Sequence, residues 1–106
     1  MTAAQRTLPE SASVGGFSSS EDGWTFGGAL TLDDAAQVFQ AASGLPLPQN
    51  GVVDFSGLMQ ADSAALAVMI ALRRRARTEG RTLQLRGLPA ALRSLAVVYG
   101  VENLLE

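Results

Sequence analysis

An α/β domain on a small mixed sheet is what this sequence predicts, and three observations lead there. Two long segments carry apolar residues at helical spacing, short β-branched runs alternate with them, and the chain opens on two strand-like runs joined by a Ser-rich turn. The order is then β-β-α-β-α-β-α, in which the later strands, separated by helices, should pair in parallel through right-handed crossovers. A length of 106 residues, 47% of them apolar, suits one core, and no internal repeat suggests a second domain.

Residues 1 to about 10 have no hydrophobic period and contain Pro9, so they read as a flexible tail ahead of a domain spanning 11–106. From Ser11 the run Ala12, Val14, Phe17, broken by Gly15-Gly16, suggests a short edge strand. Ser18-Ser19-Ser20-Glu21-Asp22-Gly23 has the composition of a hairpin turn, and Trp24, Phe26 and Ala29 continue as a second strand with Trp24 closing the core. Thr31 precedes Leu32-Asp33-Asp34, where its hydroxyl can accept from free amides and the aspartates suit the positive helix end. The helix that follows, Leu32 to Ala42, repeats Leu32, Ala35, Ala36, Val38, Phe39 and Ala42, and Ser43-Gly44 with Pro46 and Pro48 ends it.

Gly51-Val52-Val53-Asp54-Phe55 reads as a central strand covered on both faces, and Ser56-Gly57-Leu58-Met59-Gln60 as the loop after it, ordered by Asp54. Asp62 is a good N-cap for a helix from Ser63 to Thr78, which Gly80 stops. Leu66, Met69, Ile70 and Leu72, with Ala65 and Ala76, form its apolar face. Arg73 should snorkel, and Arg74, Arg75 and Arg77 read as a solvated helix end. Thr82 to Arg86 alternates as a strand, and Pro89 opens a last helix to Tyr99 with Leu92, Leu95, Ala96 and Tyr99 on one stripe. Val101, Leu104 and Leu105 remain to pack on the core or meet a partner.

Composition narrows the chemistry. Eight basic and ten acidic residues leave a net charge of −2, which argues against nucleic acid, and the absence of Cys and His removes the usual thiol, imidazole and zinc chemistry. Asp33, Asp34, Asp54 and Asp62 are not spaced as an acid-base pair, and Gly15-Gly16 and Gly27-Gly28 lack the lysine and helix of a phosphate loop. A non-catalytic chain without cofactor is expected. The longest apolar stretch, Ala64 to Leu72, is about half a membrane span, and no secretory signal opens the chain, so the expected location is cytoplasmic.

The segment from Phe55 to Asp62 and the helix start at Ser63 hold the candidate site, because partners and ligands meet α/β sheets beyond the carboxyl ends of strands. A hydroxyl at Ser63 lies near helix-terminal amides that suit an anion, although by spacing alone Asp62-Ser63 reads first as an ordinary helix start. Leu58, Met59, Gln60, Asp62, Ser63, Ala64 and Ala67 are the expected partner-binding residues. A small-molecule module is the alternative from another class, and no polar pocket is apparent for it.

The stretch Val52-Val53-Asp54-Phe55-Ser56-Gly57-Leu58-Met59-Gln60-Ala61-Asp62-Ser63-Ala64-Ala65-Leu66 resembles STAS domains, which pass from a central strand to an Asp-Ser or Asp-Thr helix start followed by Leu. The turn Glu79-Gly80-Arg81, the run Leu83 to Leu88, and Leu92 to Val101 continue the likeness. Leu95-Ala96-Val97-Val98-Tyr99-Gly100-Val101 and the small size favour the MlaB branch, the cytoplasmic STAS subunits of phospholipid-transport ABC complexes. That resemblance implies an accessory subunit that binds an ABC-type ATPase and, through it, the permease at the inner membrane, in a system maintaining outer-membrane lipid asymmetry. In related anti-sigma-factor antagonists a partner kinase phosphorylates the serine after the Asp, here Ser63, which gives the alternative function. Those proteins usually continue with a second hydroxyl residue and Gly-Leu-Gly, where this chain has Ala64-Ala65-Leu66-Ala67.

Overall fold

The computed structural model describes residues 12–14 and 16–105; the expected tail over 1–10 lies outside the described residues, as do Ser11, Gly15 and Glu106. Strands β1 (Ala12–Val14), β2 (Phe17–Ser20) and β3 (Gly23–Leu30) precede helix α1 (Leu32–Ser43). Then come β4 (Val52–Ala61), α2 (Ser63–Thr78), β5 (Gln84–Arg86), α3 (Ala90–Val98) and a 3-10 turn at Glu102–Leu104. The strands form one sheet in sequence order, antiparallel through β1, β2 and β3 and parallel through β3, β4 and β5.

This is the expected mixed α/β sheet with one strand more. The single strand expected over Ala12 to Phe17 is two, reversed so that Val14 faces Phe17. Gly16, at φ 91°, takes the reversal in a backbone region that only glycine enters freely. The Ser-rich run is mostly β2, which leaves Glu21-Asp22 as the turn into β3.

Among the described residues only one face of the sheet is covered. Phe17 pairs with Phe26, and Trp24 with Val53 and Val53 with Leu85, so these buried side chains share a face. Phe17 is the hub of the aromatic core, with ring centroids 5.2 Å from Trp24, 4.9 Å from Phe26 and 6.1 Å from Phe55. The Trp24 indole N–H has no hydrogen-bond acceptor among the described residues. The register Ser18, Thr25, Asp54, Arg86 marks the opposite face, polar and partly to fully exposed. The expectation that β4 is covered on both faces is therefore corrected. Val53 and Phe55 enter the core while Asp54 between them faces water, which is ordinary two-fold alternation in a short run.

A second correction concerns Ser56 to Gln60, which is strand and not loop. β4 keeps pairing with β3 as far as Leu30 opposite Ala61. It does so with one extra residue between the Thr25–Asp54 and Gly27–Gly57 pairs and another between Gly28–Leu58 and Ala29–Gln60. Asp54 supports the first irregularity, its Oδ1 accepting the Ser56 N–H at 2.8 Å. Met59 is the extra residue of the second and stands 83% exposed. At Gly57 the strands come so close that a Cβ would lie 2.7 Å from the Phe26 carbonyl oxygen.

The last helix buries Leu92 and Ala96, while Tyr99, expected on the same stripe, caps the helix end and is 57% exposed. Leu105 is buried and Val101 packs partly on the core, whereas Leu104 remains outside. No helix among the described residues is long and apolar enough to cross a membrane.

Two outcomes follow for β4. Gly57→Ala forces β3 and β4 apart and should cost about 1–3 kcal/mol in urea unfolding, whereas Gly44→Ala, whose Cβ would meet nothing nearer than 3.6 Å, should be nearly neutral. The Asp54 carboxyl is held below its ordinary 3.8, first by the Ser56 backbone N–H, then by the Ser56 side chain, with Arg86 adding attraction against the opposing effect of burial. A group depressed in the folded state contributes stability that is fully present above the unfolded value and is lost as pH falls through the folded one. Asp54→Asn should therefore be less stable than the unsubstituted chain at neutral pH, and the gap should close below about pH 4 in unfolding followed against pH.

Candidate interaction site

The pairing of Leu30 with Ala61 brings the ends of β3 and β4 side by side, so α1 and α2 start next to each other. Asp62, extended at φ −136° and ψ −163°, is the N-cap of α2. Its Oδ1 accepts the Ala64 N–H at 2.8 Å and its Oδ2 accepts the Leu32 N–H of α1 at 3.0 Å. One carboxylate thus serves orphan amides of two helices, where both dipoles favour negative charge. Thr31 and Asp34 form a capping box at the start of α1, the Thr31 side chain accepting from the Asp34 backbone N–H and the Asp34 carboxylate accepting the Thr31 N–H at 3.4 Å, while the Thr31 hydroxyl also donates to that carboxylate at 2.9 Å. The charged oxygen is the stronger acceptor, so the hydroxyl turns to it.

The opposite ends of the two helices are tied by Arg75. Its guanidinium donates to the Ala42 carbonyl at 3.0 Å and the Leu45 carbonyl at 2.6 Å, and pairs with Glu79 at 3.0 Å. Arg75 is therefore no solvated residue: it places a cation at the α1 C-terminus, where the dipole favours one. Arg81 likewise donates to the carbonyls of Pro48 and Gln49 and fastens the segment leading into β4.

Between these ties runs an apolar groove, lined by Leu32, Ala35, Ala36 and Phe39 of α1 and by Ser63, Ala64, Ala67, Val68 and Ala71 of α2. Its floor is mostly alanine. Leu32 is 78% and Phe39 39% exposed, although both belong to the apolar stripe of α1. Only Val38 and Ala42 of that stripe are fully buried. The helix carries a wider apolar arc than the sheet can cover, and the excess turns towards α2 and solvent.

Of the expected site residues, Ser63, Ala64 and Ala67 lie together in this groove. Ser63 is exposed, and its hydroxyl has no partner among the described residues. Asp62 sits at the groove's head with both carboxylate oxygens occupied. Leu58, Met59 and Gln60 line a different cleft, shared with Thr31, Ala61 and the start of α3 at Pro89, Ala91, Leu92 and Leu95. Sequence reasoning missed Leu32, Ala36 and Phe39, for which the signal was an apolar arc too broad for a single buried face.

A family model described as "Mlab, STAS domain" matches residues 18–106. No curated protein matches the chain.

Removing the bridging carboxylate tests the geometry. Asp62→Ala should lower stability by about 1–3 kcal/mol, and amide exchange should quicken at both Leu32 and Ala64. Faster exchange at Ala64 alone would show that the link to α1 is absent in solution.

Proposed function

The chain belongs to the MlaB-type STAS family, and from that premise we propose that it is an accessory subunit of a phospholipid-transport ABC complex, binding the ATPase subunit through the α1–α2 groove. It acts by packing and not by chemistry. In this reading it stabilises or activates the ATPase, reaches the permease only through it, and stands at the cytoplasmic side of the inner membrane in a system that maintains outer-membrane lipid asymmetry.

The observation that carries the reading is the apolar groove left open among the described residues, with Ser63 at its head. Exposed Leu32 and Phe39 supply apolar area on either side of a floor of alanines, on which a partner backbone can approach closely. A family whose members work by protein-protein contact gives that surface an occupant. Leu58, Met59 and Gln60 would meet the same partner from the neighbouring cleft, with Met59 offering an adaptable thioether.

The free, exposed Ser63 hydroxyl favours a second reading, a switch in sigma-factor regulation operated by a serine kinase. A phosphate there would find Leu32 N–H and Ala64 N–H already bonded to Asp62, and would sit beside that carboxylate. It would act by repelling a partner more than by gaining new bonds.

Affinity capture from a native extract, with captured proteins identified by mass, separates the readings. The unsubstituted chain should retain an ABC-type ATPase and its permease, and Ser63→Asp and Ala67→Glu should each lower recovery about tenfold or more by burying charge in an apolar contact. A captured serine kinase with phosphate on Ser63 would support the switch. An ATPase held equally by all three proteins would move the interface away from the groove.

A further inference from the structure

Four arginines crowd the C-terminal half of α2, and their surroundings sort them into two kinds. Arg75 is tied to α1 and Glu79. Arg73, Arg74 and Arg77 fall within about a 100° arc at 3.6 residues per turn, and Arg74 and Arg77 are exposed. Among the described residues the only ion pair is Arg75 with Glu79, so these three have no carboxylate of their own. Like charges so close on one helix repel one another until something negative meets them. Such a concentration is notable in a chain whose net charge is −2.

The arc is continuous with the groove. Arg74 follows Ala67 and Ala71 along the same side of α2, one and two turns on, while the Asp62 carboxylate stands at the groove's other end, ahead of Ser63. The surface therefore has an acidic head, an apolar middle and a cationic foot. From Ser63 to Arg77 it is about 21 Å long at 1.5 Å per residue.

We propose that this surface seats one amphipathic helix of the partner ATPase, with carboxylates at one end against Arg74 and Arg77 and small apolar side chains in the groove. The proposal rests on the reading above and adds the chemistry of the partner segment. An anionic bilayer fits less well. Its charge would meet the Asp62 carboxylate as well as the arginines, and a groove floored by alanine offers shape to a helix but few large side chains to insert into lipid.

The test titrates the purified ATPase subunit with the whole chain at about 50 and 300 mM salt, a range over which exposed charges become screened. Arg74→Glu/Arg77→Glu should bind about tenfold or more weakly at the lower salt and lose most of the salt dependence, while Arg74→Lys/Arg77→Lys should stay within about threefold. An unchanged urea midpoint shows that the Glu variant is folded. Binding by the Glu variant that matches the unsubstituted chain at each salt overturns this proposal alone. No binding by the unsubstituted chain overturns the preceding proposal and this one with it. Flotation of the unsubstituted chain with phosphatidylglycerol vesicles, abolished by the Glu substitutions while ATPase binding is unchanged, overturns it in favour of a lipid surface.

Discussion

The carboxylate of Asp62 is the contact on which the site's geometry depends. It sits where β4 ends and accepts one amide from each of two helices, so the sheet's register is transmitted directly to the relative placement of α1 and α2. Without it, the first turn of each helix has an orphan donor, and the two positive dipole ends face each other unscreened. Arg75 performs the reciprocal service at the far ends, where carbonyls of Ala42 and Leu45 accept from it. A groove tied at both ends keeps its width, and a rigid seat costs less to order when a partner arrives.

How legible this was in the sequence varied with the kind of signal. α2 could be read to the residue because its cap, its apolar period and its stop are local features: Asp62, the repeat from Leu66 to Leu72, and Gly80. β4 could not be read beyond Phe55. Ser56-Gly57 looks like a turn in isolation, and only the close approach of β3, admitted by the missing side chain at Gly57, makes it strand. Residues 16–17 posed a similar problem, since a glycine inside a strand pattern does not reveal whether it bends or reverses the chain. The family likeness was legible from Val52 onwards, whereas the opening strands contributed only element order.

The candidate site was half legible for the same reason. Ser63, Ala64 and Ala67 lie on the element with the strongest motif, but the opposing wall belongs to α1, which the sequence marks only as an apolar repeat. Periodicity reports that residues share a face and not what covers it. Seven apolar positions on a 12-residue helix are more than a small sheet can shelter, and in the structure just two of them are fully buried. Exposed Leu32 and Phe39 contribute nothing to the core in exchange for their unfavourable hydration. Their placement makes sense once a second surface closes over them.

The same economy of amides bears on how Ser63 would act as a control point. A phosphoserine at a helix start usually gains stability from free N–H groups, which pulls the segment into order. At this junction two of the nearest donors, on Leu32 and Ala64, already serve Asp62, and Asp33 adds a further negative charge close by in sequence to the first of them. An added anion would therefore leave the helices where they are and change only the surface they present, turning the apolar head of the groove strongly negative. Regulation at this position would work by excluding a partner from a preformed seat, with no rearrangement of the fold that carries it.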